Sequence, residues 1–150
     1  MKNMNIFEVK DNKKDYLQLL LLADEQENMI DQYLERGTMY VLDDAGIKAV
    51  CVVTDEGDEN LEIKNIATEL QHQRKGYGRI LIEFIIQKYR HQYAALLVGT
   101  GDSPLTVPFY EKCGFRRSHV VKNFFLDHYD HPIWEEGRQL IDMIYLKMEL

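Results

Sequence analysis

A stripe of apolar residues between positions 76 and 90 constrains the fold of this chain more than any other feature of the sequence. The residues recur at the i, i+3, i+4, i+7, i+8 spacing of a helix that buries one face: Tyr77, Ile80, Leu81, Phe84 and Ile85. Apolar, strand-like segments flank this helix at residues 61–68 and 94–98. A strand, a helix and a second strand in this order predict a right-handed βαβ unit.

The rest of the chain predicts a mixed sheet with helices on its faces. Gly37 is predicted to end the second helix, because a residue that tolerates left-handed dihedral angles often follows a helix. The fourth helix is predicted to begin near Ser103 or Thr106 and to end at Gly114. The overall order is β-α-α-β-β-β-α-β-α-β-β, with the remaining strands at 5–10, 38–42, 47–54, 115–126 and 142–149 and the first two helices at 15–23 and 25–36.

Length and composition predict one globular domain, residues 1–150. A chain of 150 residues in which 45% are hydrophobic can bury a core without a metal or a disulfide. Cys51 and Cys113 are the only two thiols, so we expect both to be reduced and the protein to be cytoplasmic. The longest apolar run, residues 19–23, is too short for a signal peptide or a membrane span, which predicts no membrane association.

Charge is distributed unevenly along the chain. The net charge of −7 argues against non-specific binding to nucleic acid. Residues 1–60 carry 14 acidic and 6 basic side chains, whereas residues 72–79 carry Arg74, Lys75 and Arg79 and no acid. This basic patch lies before the surest helix and contains Gly76 and Gly78, so free amides and a helix dipole predict an anion site.

Two motifs carry a family resemblance. The string Gln73-Arg74-Lys75-Gly76-Tyr77-Gly78 resembles the [QR]-x-x-G-x-[GA] signature of the GNAT N-acetyltransferase superfamily, and residues 109–115, FYEKCGF, resemble the late tyrosine motif of that family. No Walker or Rossmann phosphate motif is present. The resemblance implies a GNAT-like α/β (α+β) fold with a mostly antiparallel sheet of about seven strands, and acetyl-CoA as co-substrate with no metal.

The resemblance also implies where acetyl-CoA binds. The loop residues Gln73, Arg74, Lys75, Gly76, Tyr77, Gly78 and Arg79 would hold its pyrophosphate. Backbone amides on the preceding strand would stabilise the oxyanion and bind the pantetheine arm, and further contacts would come from the next strand and helix. These positions are Ile66, Ala67 and Thr68 on the first strand, Thr100 on the next, and Ser103 and Phe109 beyond it.

By the same resemblance, Tyr110 is the general acid that returns a proton to the departing thiolate. Glu62 is the candidate general base, since it precedes Gln73 by eleven residues, as the glutamate of histone-acetylating members does; a water chain is the alternative. The family often has asparagine and alanine where this chain has Ser103 and Thr106, which bears on the placement of Tyr110.

The acceptor side is less specific. Residues 124–136 contain four acids, no Lys or Arg and several aromatics, which suits a cationic amine but also a loop over the core or a homodimer contact. His128 and His131 form only a weak metal pattern. The sequence therefore predicts acetyl transfer to a primary amine of a small-molecule or peptide acceptor; the alternative is an acyl-CoA-binding sensor without turnover. Acceptor identity, acyl-chain preference and oligomeric state stay open.

Overall fold

The computed structural model describes residues 4–150 and contains a seven-stranded sheet. The strands are β1 (Met4–Val9), β2 (Thr38–Asp44), β3 (Ile47–Gly57), β4 (Asn60–Thr68), β5 (Ala95–Gly101), β6 (Arg116–Val121), β7 (Trp134–Glu135), β8 (Arg138–Gln139) and β9 (Met143–Glu149). The helices are α1 (Leu17–Ala23), α2 (Glu27–Ile30), α3 (Tyr77–Tyr89), α4 (Val107–Lys112) and α5 (Phe124–His128).

The sheet order is β1-β2-β3-β4-β5-β9-β6, and β7 with β8 forms a separate hairpin. Every neighbouring pair in the large sheet is antiparallel except β4 and β5. The fold class is therefore the predicted one: a mixed, mostly antiparallel sheet of seven strands. The βαβ unit inferred from the apolar stripe is confirmed, since β4, α3 and β5 follow one another and the two strands pair in parallel.

Two apolar layers cover the faces of the sheet. Helices α3 and α4 pack on one face, where Leu81 and Ile85 are fully buried in the larger core cluster. Helices α1 and α2 pack on the other face, with Leu20 and Ile30 fully buried in the second cluster. Each such side chain stabilises the fold by about 1.5–3 kcal/mol, which fixes both helix pairs against the strands between them.

The second predicted helix is wrong in extent, because α2 covers only Glu27–Ile30 and residues 31–36 form turns. Gly37 was predicted to end this helix with a left-handed φ, but its φ does not lie in the left-handed region. A Cβ at Gly37 would lie 2.8 Å from both the carbonyl oxygen of Tyr33 and Cγ1 of Val52. Close approach of the turn to β3 therefore requires glycine here.

The predicted strand at residues 115–126 is also too long. Strand β6 ends at Val121, Asn123 adopts a left-handed φ of 58°, and α5 begins at Phe124. The predicted element order consequently lacks α5 and the β7–β8 hairpin. Both elements enclose a small separate apolar cluster around Phe125, Ile133 and Leu140. These three side chains would stay exposed if residues 122–126 continued β6 as a strand.

Strands β4 and β5 separate part-way along their length. Their parallel register runs from Asn60–Ala95 to Ile63–Val98 and then ends, although both strands continue. The register of β3 against β4 shifts at the same level, between Val52 and Val53. A bulge of this kind bends a strand and increases its twist, which turns the end of β4 away from β5. None of the helices in the described part of the chain is long and apolar enough to cross a membrane.

Candidate active site

A cavity of about 470 Å³ opens where β4 and β5 separate. Residues 64–68 and residues 99–101 line it from opposite sides. No strand lies between these two edges among residues 4–150, so their facing backbone groups are available to a ligand. Backbone amides and carbonyls require hydrogen-bond partners, and an extended ligand with amide groups can supply them as an added strand would.

The beginning of α3 forms one end of this cavity. Gly76 occupies the N-cap position with φ of 90°, a conformation that glycine adopts without a side-chain clash. The first hydrogen bond of the helix runs from the Ile80 amide to the Gly76 carbonyl at 3.0 Å. The amides of the preceding residues in this turn have no partner within the helix, and the helix dipole adds partial positive charge there.

The loop before α3 is held by one side-chain bond. The Gln73 amide nitrogen Nε2 donates to the Thr68 carbonyl at 3.2 Å, which connects the loop to the end of β4. Gln73 and Arg74 both line the cavity, and Arg74 adopts a left-handed φ of 67°. Lys75 is exposed and does not line the cavity. Lys75 therefore adds positive charge near the site without contacting its wall.

The α3 loop also packs against α4. Arg79 lines the cavity; its guanidinium nitrogen Nη2 lies 3.4 Å from the Lys112 carbonyl, and its Nε lies 3.7 Å from the Glu83 carboxylate. A Cβ at Gly78 would lie 3.3 Å from Cζ of Phe109. The close contact between Gly78 and Phe109 therefore brings the N-terminal end of α3 next to the helix that carries the tyrosine motif.

Two predicted binding residues use their hydroxyls internally. Tyr77 is buried, and its hydroxyl donates to the Asp44 carboxylate at 2.7 Å, although its side chain also lines the cavity. Ser103 is buried, does not line the cavity, and accepts a hydrogen bond from the Leu105 amide at 3.1 Å. This bond forms the turn that leads into α4, so Ser103 shapes the helix start in this structure.

Two threonines, and not Ser103, present their side chains at the cavity wall. The Thr100 and Thr106 hydroxyls lie 2.7 Å apart, and both residues line the cavity. Ile66, Ala67 and Thr68 line the opposite side, as predicted for the end of β4. The sequence analysis missed Thr106 as a site residue; its position four residues before Tyr110, on the same helix face, was the available signal.

Tyr110 lies in the wall of the cavity and is buried. Its ring contacts Phe109 and Phe115 edge to face, with ring centroids 5.2 and 5.8 Å away. Burial raises the pKa of Tyr110, and the Cys51 thiol and other nearby groups add to the shift. A raised pKa keeps the phenol neutral at neutral pH, so its hydroxyl is available as a proton donor.

Glu62 lies on β4 and does not line the cavity. Its Oε2 atom accepts a hydrogen bond from the Tyr145 hydroxyl at 3.0 Å and lies 3.2 Å from the Lys64 ammonium. Lys64 itself lines the cavity. The carboxylate is therefore separated from the cavity wall by its neighbours on the sheet.

The opposite end of the cavity is bounded by α1, α5 and the β7–β8 hairpin. Asp24 accepts hydrogen bonds from the Tyr129 hydroxyl at 2.7 Å and from the Tyr33 hydroxyl at 3.1 Å. Asn65 donates to the Tyr33 oxygen at 3.1 Å, which extends this network to β4. Burial raises the pKa of Asp24 in spite of the two phenol donors. Residues from the two ends of the chain thus meet at the cavity.

Comparison with known proteins identifies the family. A family model described as an acetyltransferase (GNAT) domain matches residues 35–117. A Bacillus subtilis (strain 168) protein, the uncharacterized N-acetyltransferase YvbK, is 36% identical over 154 residues, covering 100% of this chain and 99% of its own length. The chain belongs to the GNAT acetyltransferase family.

Solved structures agree with this assignment. A GNAT family acetyltransferase from Elizabethkingia anophelis, crystallised with acetyl-CoA, is 38% identical, covers 100% of both chains and superposes with a TM-score of 0.93. A Bacillus subtilis acetyltransferase in complex with CoA is 34% identical, covers 99% of both chains and has a TM-score of 0.91. The family and fold inferred from the two sequence motifs are therefore confirmed.

One partly buried carboxylate of this GNAT chain was not singled out by its sequence. Glu135, on β7, lines the cavity, and its Oε1 atom is buried without a hydrogen-bond partner among residues 4–150. Tyr110 lines the same cavity, and the charge of Glu135 adds to the effect of burial that raises the pKa of this phenol. The sequence placed Glu135 only within an acidic connection, because nothing local indicates that a hairpin folds this residue inward.

The histidines of the same connection take other partners in this GNAT fold. The His128 ring contacts Phe124 with centroids 4.6 Å apart. His131 lies 2.6 Å from the Asp130 carboxylate and 3.5 Å from that of Glu25. Within the described residues, no group of three or more His, Cys, Asp or Glu side chains is arranged to hold a metal ion.

Proposed function

We propose that this chain transfers an acetyl group from acetyl-CoA to a primary amine by direct attack of the amine on the thioester. The observation that carries the proposal is the position of Tyr110, a buried and neutral phenol in the wall of a cavity that also reaches the free amides of α3. A proton donor and an anion site in one cavity are what a leaving thiolate and a pyrophosphate require.

The residues present are compatible with acetyl-CoA, which supplies an activated acetyl thioester when bound. The α3 turn and the basic side chains Arg74 and Arg79 face the cavity and would hold the phosphates. The separated edges of β4 and β5 would bind the amides of the pantetheine arm. The relatives crystallised with acetyl-CoA and with CoA support this placement.

Proton transfer on the thiol side is assigned to Tyr110. The hydroxyl would donate its proton to the departing sulfur and would recover one from the reacting amine or solvent. No other side chain bonds the hydroxyl within residues 4–150, so it is free to turn toward the sulfur. A general acid in such a position contributes roughly 10²–10⁴-fold to the rate.

Proton transfer on the amine side needs assistance. An alkyl amine with a pKa near 10.4 is almost fully protonated at pH 7, and freeing its lone pair costs about 4.6 kcal/mol. Glu62 remains the candidate base, but its carboxylate bonds Tyr145 and Lys64 and does not reach the cavity wall. A role for Glu62 would therefore require a water molecule between the carboxylate and the amine.

The test is Tyr110→Phe, assayed by thiol release at saturating acetyl-CoA with a panel of amines. We expect kcat to fall by about 100-fold or more while the Kd for acetyl-CoA changes little, because only the hydroxyl is removed. Tyr93→Phe is the matched control, since that hydroxyl bonds the exposed Asp55 away from the cavity. An unchanged kcat in Tyr110→Phe would refute the acid role.

The amine panel also tests the enzyme against the alternative of a sensor without turnover. A catalyst releases thiol with at least one amine, whereas a sensor binds acetyl-CoA and releases none across the panel. Including a longer acyl-CoA in the same assay reports the acyl-chain preference.

A further inference from the structure

Three carboxylates line the cavity, and two of them are already partnered. Each oxygen of Asp24 accepts a tyrosine hydroxyl, from Tyr129 and from Tyr33. Glu25 is half-exposed and lies 3.5 Å from His131 Nε2. The third carboxylate, that of Glu135, has a buried oxygen with no hydrogen-bond partner in residues 4–150. Of the three lining carboxylates, Glu135 is therefore the one with a buried oxygen that lacks a hydrogen-bond donor.

The basic residue nearest Glu135 along the hairpin does not meet that need. Arg138 pairs with Glu135 in the β7–β8 register, but its guanidinium donates to the Asp102 carbonyl at 2.8 Å and lies 3.8 Å from the Asp102 carboxylate. An ionised carboxylate oxygen that is buried without a partner is energetically unfavourable. A ligand that brings a cationic N–H donor to Glu135 would remove this penalty.

Apolar side chains line the cavity near the β7–β8 hairpin. Three buried side chains form the small cluster beneath the hairpin, and two partly buried ones pack against it and also face the cavity: Phe125, Ile133, Leu140, Tyr129 and Met143. Aromatic rings and a methionine favour an apolar or aromatic group, and the rings also favour a nearby cation. The surroundings thus select a ligand with one charged end and an apolar body.

We propose that the acceptor is a small monoamine with an apolar body, and that Glu135 binds its ammonium group in the cavity that Tyr110 also lines. This inference rests on the proposed acetyl transfer and names the class of acceptor. Glu135 is a specificity residue here: it holds the nitrogen inside the cavity that Tyr110 also lines. The other two lining carboxylates offer a second ammonium little, because Asp24 already accepts two hydroxyls and Glu25 is exposed to solvent, so diamines are disfavoured.

The test measures binding without turnover. Isothermal titration calorimetry of 2-phenylethylamine into the protein saturated with CoA compares the native chain with Glu135→Gln. We expect saturable binding that weakens by about tenfold or more in E135Q, because a charge-assisted bond is replaced by a neutral one. Glu136→Gln is the matched control: Glu136 is the exposed neighbour that does not line the cavity, and its substitution should leave the Kd unchanged.

A second variant and a second ligand complete the design. Glu135→Asp keeps the charge on a shorter side chain, so its binding should fall less than that of E135Q. The diamine 1,4-diaminobutane should bind at least tenfold more weakly than 2-phenylethylamine. Equal affinity of E135Q and the native chain, or tighter binding of the diamine, would overturn the inference.

Failure of the inference and failure of the proposed function give different results. If amines release thiol but E135Q binds and turns over 2-phenylethylamine like the native chain, acetyl transfer stands and the role of Glu135 is wrong. If 2-phenylethylamine binds in a Glu135-dependent manner but no amine releases thiol, the ammonium site stands and acetyl transfer is wrong.

Discussion

The hydrogen bond from the Tyr129 hydroxyl to Asp24 joins the segment that follows α5 to the end of α1. Removing this bond should destabilise the fold. The two residues are 105 positions apart, and their oxygens lie 2.7 Å apart in a partly buried setting. Tyr129→Phe deletes only the hydroxyl and keeps the ring, which stacks on Phe125 with centroids 5.5 Å apart. The perturbation is therefore confined to one hydrogen bond to a carboxylate.

The magnitude follows from the environment of that carboxylate. A hydrogen bond to a charged group contributes about 1.5–3 kcal/mol, so we expect a loss of about 2 kcal/mol in the free energy of unfolding. For a chain of this length that corresponds to a fall of roughly 4–8 °C in Tm. Burial already raises the pKa of Asp24, and loss of a donor to the ionised form should raise it further.

Thermal unfolding followed by circular dichroism measures the effect, with Tyr93→Phe as the matched control. The Tyr93 hydroxyl also bonds an aspartate, Asp55, but at 3.1 Å on the exposed surface, where such a bond contributes about 0–1 kcal/mol. The difference between the two variants isolates the contribution of burial. Because the Tyr129 bond is stronger to an ionised carboxylate, the Tm difference should shrink once the pH falls below the folded-state pKa of Asp24.

Equal Tm losses in Tyr129→Phe and Tyr93→Phe would refute this reasoning, since burial would then have no influence. A loss in Tyr129→Phe that persists in the background of Asp24→Ala, which removes the acceptor, would also contradict it. In that case the hydroxyl would act through a group other than the carboxylate.

Three further predictions concern single sites. Gly37→Ala should lower the free energy of unfolding by about 1–3 kcal/mol in denaturant titration, because its Cβ would meet Val52 and a carbonyl at 2.8 Å; native-like stability would contradict the packing argument. NMR titration should show the pKa of His131 above its usual value, chiefly because of its hydrogen bond to Asp130. Protonated His131 should therefore stabilise the fold below a pH of about 6.5, and this contribution should fade as the pH rises through the folded-state pKa. Glu62→Gln should reduce kcat/KM more at pH 7 than at pH 9, where roughly 100-fold more amine is neutral; an equal reduction at both pH values would exclude a base role.

Local sequence patterns predicted the part of the site that is built from consecutive residues. The apolar stripe located α3 within one residue at each end, and two glycines in a basic segment located the turn before it, which lines the cavity. The tyrosine motif predicted that Tyr110 lies on a helix that ends at Gly114. Tyr110 does lie on α4, and Gly114 follows this helix with a φ of 109°. Apolar periodicity and turn-forming residues depend on positions a few residues apart, so they can be read from a single sequence.

The end of the cavity near α1, α5 and the β7–β8 hairpin could not be predicted in the same way, since it depends on contacts between distant segments. Residues 31–36 were expected to continue the second helix, but they form turns, and Gly37 after them lies close to Val52 of β3. Glu135 points into the cavity only because the β7–β8 hairpin folds over Phe125 and Leu140. The position of Glu62 away from the cavity wall likewise depends on its bonds to neighbouring strands.

The separation of β4 from β5 leaves two strand edges inside the molecule that are joined to each other only near one end. Exposed edges of this kind usually recruit other strands and promote aggregation, but here both edges line a cavity that residues of α3 and α4 also line. Under the proposed function, an extended acyl donor completes the sheet and so becomes part of the folded structure. At a free concentration of 100 times its Kd, such a ligand adds about 2.7 kcal/mol to the stability of the protein. The resistance of this protein to unfolding in the cell would then rise and fall with the supply of its own co-substrate.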